Sequence, residues 1–446
     1  MTTLLEKLLL ISITAVALAM PIHGNAAKGS GGGGGGGGDG TPPPPPGPTV
    51  TVTSEAQLIP TGSSDVIFAN QANHVLNGDT AAFPVVVRRE AFIPNPFGGF
   101  MSPQHIAIHH RVGTIWNRQQ LLGPPSDPRD NPGFAQSIAL DLDTLIAGIG
   151  TNPCNTGGIV HGPYVYRRTQ GVWVEVAHLV PNDIRGTDCG DYRYKVAVSG
   201  DTAIVGISSI NPVRAAAVYV FQRSALGQWA QTTKITANIQ DPGLFSAGIV
   251  NFAFNGNTLA VTSGFGASVY ERTLGVWNLK TILTPGDRNL VDGAQHGVGF
   301  GTALAVSGDT ILVGGSWDVI PNGNNNPIQF GAAYMFQRNS AGVWSQQAKL
   351  VPARRENLDN FGKKVSLSGK HALMAYQPAS TRVGKASLFT NVGTQWSETL
   401  IRSPGVPVER VDKVDAFAAA ATVDGNTALI FRSFGEEFVY RITVAP

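Results

Sequence analysis

Charge and cysteine are both scarce in this sequence. Asp, Glu, Lys and Arg make up only 14% of the 446 residues, with 32 basic against 30 acidic side chains interspersed along the chain. That excludes the strongly basic stripe of a nucleic-acid binder, and no nucleic-acid partner is expected. Two cysteines leave no CxxC pair, and GxSxG, HExxH and P-loop patterns are missing as well. The local signatures of a serine nucleophile, a zinc protease and a phosphate cradle are therefore not written here. Long apolar runs are lacking too. The longest near the N-terminus, LLLISITAVALAM after Lys7, has 13 residues, against the ~20 that a membrane-spanning helix needs.

That run is followed by small residues in HGNAAKG, the pattern of an export signal, with cleavage expected after Ala26. Residues 1–26 are thus expected to be a signal peptide and the mature chain to be periplasmic, cell-surface or extracellular; an uncleaved segment would instead act as an anchor. Residues 27–49, mostly GSGGGGGGGGDGTPPPPPGP, have nothing apolar to bury and are expected to be disordered. Residues 50–446 remain as the folded part.

Glycine (54) and proline (29) are plentiful there, as short strands joined by many turns require. One polar turn recurs seven times: Asn77–Thr80, Asp141–Thr144, Ser199–Thr202, Asn255–Thr258, Ser307–Thr310, Ser368–His371 and Asp424–Thr427. Before each stands a short alternation of apolar residues, ending in Leu76, Leu140, Val198, Phe254, Val306, Leu367 and Val423. Alternation followed by Gly-Asp or Gly-Asn reads as a strand entering a two-residue hairpin. A return strand (TAIVG, TILVG), a third strand (AAVYVFQR, GAAYMFQR) and a fourth beginning at a Trp complete each unit. The fourth-strand Trp residues are 116, 173, 229, 277, 344 and 396, read as packing at strand starts. Four antiparallel strands in units of this length predict an all-β, seven-bladed propeller. Six blades with an accessory hairpin, or paired sandwiches, are the alternatives. The last unit lacks a fourth strand, and VTVTSEAQLIPTG aligns with WSQQAKLVPA so that Val52 stands where Trp344 does. The N-terminal strand is therefore expected to close the ring.

The repeated set resembles the FG-GAP family, whose best-known members are the propeller heads of integrin α chains, in its bacterial secreted form. FG stands as Phe300-Gly301 and Phe361-Gly362, and is weakened to Phe134-Ala135, Tyr192-Arg193 and Phe417-Ala418. Gly148, Gly206 and Gly314-Gly315 occupy the GAP position without its proline. The resemblance implies adhesion or protein interaction. Integrin-type repeats hold Ca²⁺ in a carboxylate loop between the first two strands, which here has shrunk to two residues. Asp141 and Asp143 are read as turn residues, and no metal or cofactor is expected.

Chemistry-bearing side chains outside the repeat are few. In HIAIHHR, His105 and His109 share a strand face and are expected to be solvated. Trp317 lies in the longest insertion, GGSWDVIPNGNNNPIQ, and Phe92, Phe97 and Phe100 lie in a comparable one, REAFIPNPFGGFMSPQ. Second-to-third-strand connections and blade-to-blade links leave a propeller on one face, so Asp292, His296, Arg354 and Arg355 share it with them. These eight residues form the candidate binding surface, with loop-tip packing as the competing reading. Cys154 and Cys189 lie in two loops on that face and are expected to form a disulfide in an exported protein. The function expected is a monomeric, non-enzymatic module that binds a protein or glycan. The alternative is a secreted hydrolase or lyase with its site at the central opening.

Overall fold

The recurring turn sets the architecture. In all seven copies the residues flanking it pair directly, Asn77 with Thr80 through to Asp424 with Thr427. Only two residues therefore separate each pair of strands. The first of the two takes positive φ every time, between 52° and 58°, as in a type II′ hairpin. Glycine supplies it in six blades; in the second, Leu142 is forced there.

The computed structural model describes residues 49–58, 66–69, 74–87, 93–94, 100–101, 104–123, 133–151, 158–188, 192–209, 217–236, 251–263, 266–287, 299–320, 328–355, 359–377, 384–393, 395–401, 420–432 and 436–445. Pro48–Pro446 form one compact unit. It contains seven antiparallel sheets of four main strands, six of them running in chain order from the centre outward. Blade 5 is representative: Phe300–Ser307, Thr310–Gly315, Ala332–Arg338 and Trp344–Leu350. The first strands of successive blades touch one another around the ring, and the first blade's touches the seventh's. Blade 7 is built from Ala420–Asp424, Thr427–Arg432 and Glu436–Ala445, completed by Thr49–Gln57 from the other end of the chain. Val52 pairs with Ile442 just as Trp344 pairs with Arg338, so the closing strand takes the expected register. Closure leaves no unpaired inner seam.

A ring of hydrogen bonds reinforces the hub. The first residue of each turn carries a side-chain oxygen, and it accepts from the turn backbone of the next blade. Asn77 Oδ1 takes Leu142 N at 3.1 Å, Asp141 takes Gly200 N at 2.6 Å, and Ser199 takes Gly256 N at 3.1 Å. Asn255 takes Gly308 N at 3.3 Å, Ser307 takes Gly369 N at 3.0 Å, and Ser368 takes Gly425 N at 2.9 Å. Asp424 then takes Gly78 N at 2.7 Å, and the circle is complete.

Further out, an arginine at the end of the third strand clamps five blades. Arg111, Arg168, Arg223, Arg272 and Arg338 pair with the turn residues Asp79, Asp143, Asp201, Asn257 and Asp309. Each also lies over the fourth-strand Trp of its own blade, 5.2–5.8 Å from the ring centre. Those tryptophans are packing residues, as read from the sequence. The FG phenylalanines fill the blade ends: Phe300 meets Tyr334 and Phe336 edge-on, and Phe361 meets Tyr376 and Phe389. Gly362, at φ 83°, could not carry a Cβ, which would lie 2.1 Å from Ala332 O.

Candidate functional site

The face opposite the turns is made by second-to-third-strand connections and blade-to-blade links, and here too a pattern repeats before it breaks. After a proline in each of three links, a backbone N–H donates to the next blade's fourth strand. The pairs are Asn182 N to Gln231 (2.9 Å), Gly286 N to Gln346 (2.9 Å) and Ala353 N to Glu398 (2.7 Å). The residue that follows is an aspartate in the first two links. Asp183 pairs with Lys234 at 2.5 Å, and Asp287 pairs with Lys349. Each lysine also stands over the tyrosine opposite it in the third strand, Tyr219 at 5.4 Å and Tyr334 at 5.3 Å. Lysine, aspartate and tyrosine thus lash one blade to the next.

In blade 5 the tie is extended by the insertion. Asp318 Oδ2 lies 2.7 Å from Lys349 Nζ, and Asp318 Oδ1 accepts from the Tyr334 hydroxyl at 2.8 Å. Burial, with the carboxylates of Asp318 and Asp287 alongside, pushes the Tyr334 phenol far above its ordinary range. The base of the insertion is cinched where Asp318 O accepts from both Phe330 N (3.0 Å) and Gly331 N (3.1 Å). Beyond it Val319–Ile320 and Ile328–Gln329 form a short two-stranded ribbon. Between this base and the link to blade 6 lies a cleft of about 180 Å³, lined by Asp318, Phe330, Gly331, Lys349, Val351 and Arg355. Trp317, next to Asp318 in the chain, is 50% exposed.

Of the eight candidate residues, the structure brings three to this one region. Arg355 lines the cleft, Arg354 precedes it, and Trp317 flanks Asp318. Phe100 begins the second half of a ribbon, Ile93–Pro94 with Phe100–Met101, which gives the blade 1 insertion the same form as that of blade 5. Phe92, Phe97, Asp292 and His296 lie outside the described residues, as do Cys154, Cys189 and the whole of residues 1–48. Asp318, Lys349 and Phe330 were missed from sequence. Their roles depend on contacts between a loop and a strand thirty residues apart, and no local spacing signals them.

The histidines need correction. His105 and His109 are buried rather than solvated, because the third strand of blade 1 has a neighbouring blade against it. His109 stacks on Phe83 at 5.3 Å, and burial, helped by the charge of Arg118, pushes it down to about 4. At the seam between blades 7 and 1, His74 Nδ1 lies 3.0 Å from Glu437 Oε1, both fully buried, between Phe83 and Phe431. Burial raises the Glu437 carboxyl, against the pull of His74. Asp141 and Asp143 serve the turns: one accepts from Asn77 and Gly200, the other pairs with Arg168.

No protein-family model matches the chain, and no curated protein matches it. The resemblance to FG-GAP repeats therefore rests on its motifs. Among solved structures, the chain is similar to the periplasmic gluconolactonase of Pseudomonas aeruginosa. The identity is 12%, with 86% of this chain and 99% of that one covered, at a TM-score of 0.43. The expectation of a non-enzymatic module does not stand beside that finding and is withdrawn. At such identity and score the likeness carries no reaction over to this chain either.

Proposed function

We propose that the chain is an FG-GAP-type propeller, exported by residues 1–26, that binds a protein or glycan on its loop face where blades 5 and 6 meet. The observation that supports this reading is the cleft beside an exposed tryptophan, at the base of a ribbon inserted between the second and third strands of blade 5. In five blades the repeat's tryptophan is covered by an arginine of its own blade; Trp317 is outside the repeat and half open to water. Exposed aromatic surface held on a rigid ring is the usual anchor of a recognition site. The test is a screen of glycans and surface proteins against the purified mature chain, repeated with Trp317→Ala. Loss of at least about tenfold in affinity, about 1.4 kcal/mol, is the expected result. Binding that ignores the substitution would place the site elsewhere.

A further inference from the structure

Of the three proline-led links, the one that enters blade 6 lacks the tie; blade 4 lacks its lysine and tyrosine as well, with Ser268 opposite Ile282. Ala353 N donates to Glu398 just as Gly286 N donates to Gln346, so Arg354 occupies the position of Asp287 and Asp183. In the strand pairing, Leu400 lies opposite Ser387 where Lys349 lies opposite Tyr334 and Lys234 opposite Tyr219. All three members of the tie have changed: aspartate to arginine, lysine to leucine, tyrosine to serine. Ser387 turns inward to Glu398 at 2.6 Å, and that carboxylate is already shared with Ala353 N. Across the cleft, Asp287 and Asp318 are both held by Lys349. Among the described residues, neither Arg354 nor Arg355 has a carboxylate partner, and both side chains are exposed. Leu400 is 48% exposed at the same junction.

Resting on the binding reading above, we infer that the junction of blades 5 and 6 recognises a carboxylate-bearing saccharide, Arg354 and Arg355 taking the carboxylates and Trp317 a sugar face. A guanidinium is the group suited to a carboxylate, since its planar fork donates two parallel hydrogen bonds. An exposed indole offers the flat apolar surface that a pyranose ring stacks on, while Asp318 and Lys349, fixed by each other, leave hydroxyl-binding groups at the cleft wall. A neutral sugar would leave unused two cations that have no carboxylate partner among the described residues, and a strongly apolar ligand would find Phe330, Val351 and Leu400 there.

The probe is a uronic-acid tetrasaccharide, titrated calorimetrically into the mature chain, beside a neutral glucose tetrasaccharide. The acidic oligosaccharide is expected to bind at least about tenfold more tightly, and to weaken several-fold from about 50 to about 300 mM salt. Arg354→Ala and Arg355→Ala should each cost it several-fold in affinity. The double variant Arg354→Asp with Leu400→Lys rebuilds the aspartate–lysine pair on two exposed positions. It should lose the ligand while its melting temperature holds or rises. Equal binding of both tetrasaccharides, no binding of the acidic one, or full binding by the double variant would each overturn the inference. A neutral glycan or protein found in the screen and lost with Trp317→Ala would keep the face as a binding surface while removing the carboxylate. Uronate binding that needs the arginines but ignores Trp317→Ala would do the reverse.

Discussion

On the turn face all seven blades do the same thing: one side-chain oxygen per turn takes one backbone N–H from the next blade, without a break at the chain ends. On the loop face the blades differ. Blades 1 and 5 carry ribbons, blades 3 and 5 are lashed by a lysine–aspartate pair, and blade 6 has exchanged that pair for arginine and leucine. Where the repeat is kept, the polar groups are consumed by closure. Where it is broken, they face water. A closed ring can vary one face freely because the other already holds the blades in register.

The contrast is broken most severely at the seam. Removing residues 50–60 strips the fourth strand from blade 7 and exposes the whole Glu436–Ala445 edge. The cooperative melting transition should be lost and the protein should aggregate, seen by calorimetry and size-exclusion chromatography. A variant as stable and monomeric as the parent would refute the role of that strand.

A smaller effect comes from acid at the same seam. His109 is held neutral in the fold, its pKa lowered from 6.5 to about 4, whereas the unfolded imidazole takes a proton near 6.5. Its contribution is fully present above about pH 6.5 and is lost as pH falls toward 4, by about 3 kcal/mol. Glu437, raised by burial, acts with the opposite sign, its stabilisation being greatest below its unfolded pKa. The comparison should therefore be made against His109→Leu. Urea midpoints at pH 7.5 and pH 4.5 should differ less in that variant than in the parent. Equal differences would show that His109 does not carry the slope.

The turn ring offers a finer test. Leu142 alone puts a side chain into the left-handed region that glycine fills in the other six turns, and it is exposed. Leu142→Gly should stabilise by about 1 kcal/mol, the relieved strain outweighing the added freedom of the unfolded chain. On the loop face, by contrast, Arg354→Ala and Arg355→Ala should change stability by less than about 0.5 kcal/mol. A larger loss would mean that these arginines belong to the scaffold after all.

Seven blades and their closure were legible because every copy must spell out the same positive-φ turn, and because Val52 had only one place to go. The hub ring was written just as openly, in Asn77, Asp141, Ser199, Asn255, Ser307, Ser368 and Asp424, but an acceptor becomes meaningful only once the donor blade is beside it. The broken tie was harder. Counting from the tryptophans sets Ile401 against Lys349. Blade 6, however, lacks the bulge that blade 5 has between Met335 and Phe336, so Leu400 is the true counterpart. One residue of register hid the site. The buried histidines misled for a related reason, since alternation along a strand does not say whether a second blade covers it.

The pairing of Thr49 with Ala445 also fixes an order of events. The strand that completes blade 7 is among the first parts of the folded region to be made, and its partner is the last. Such a contact has nearly the greatest sequence separation the chain allows, and closing so long a loop is slow. During synthesis the early strand must wait unpaired while six blades assemble behind it. Until the final residues arrive, the molecule is an open arc with a bare edge at either end, and a chain shortened by ten residues at its C-terminus would remain one.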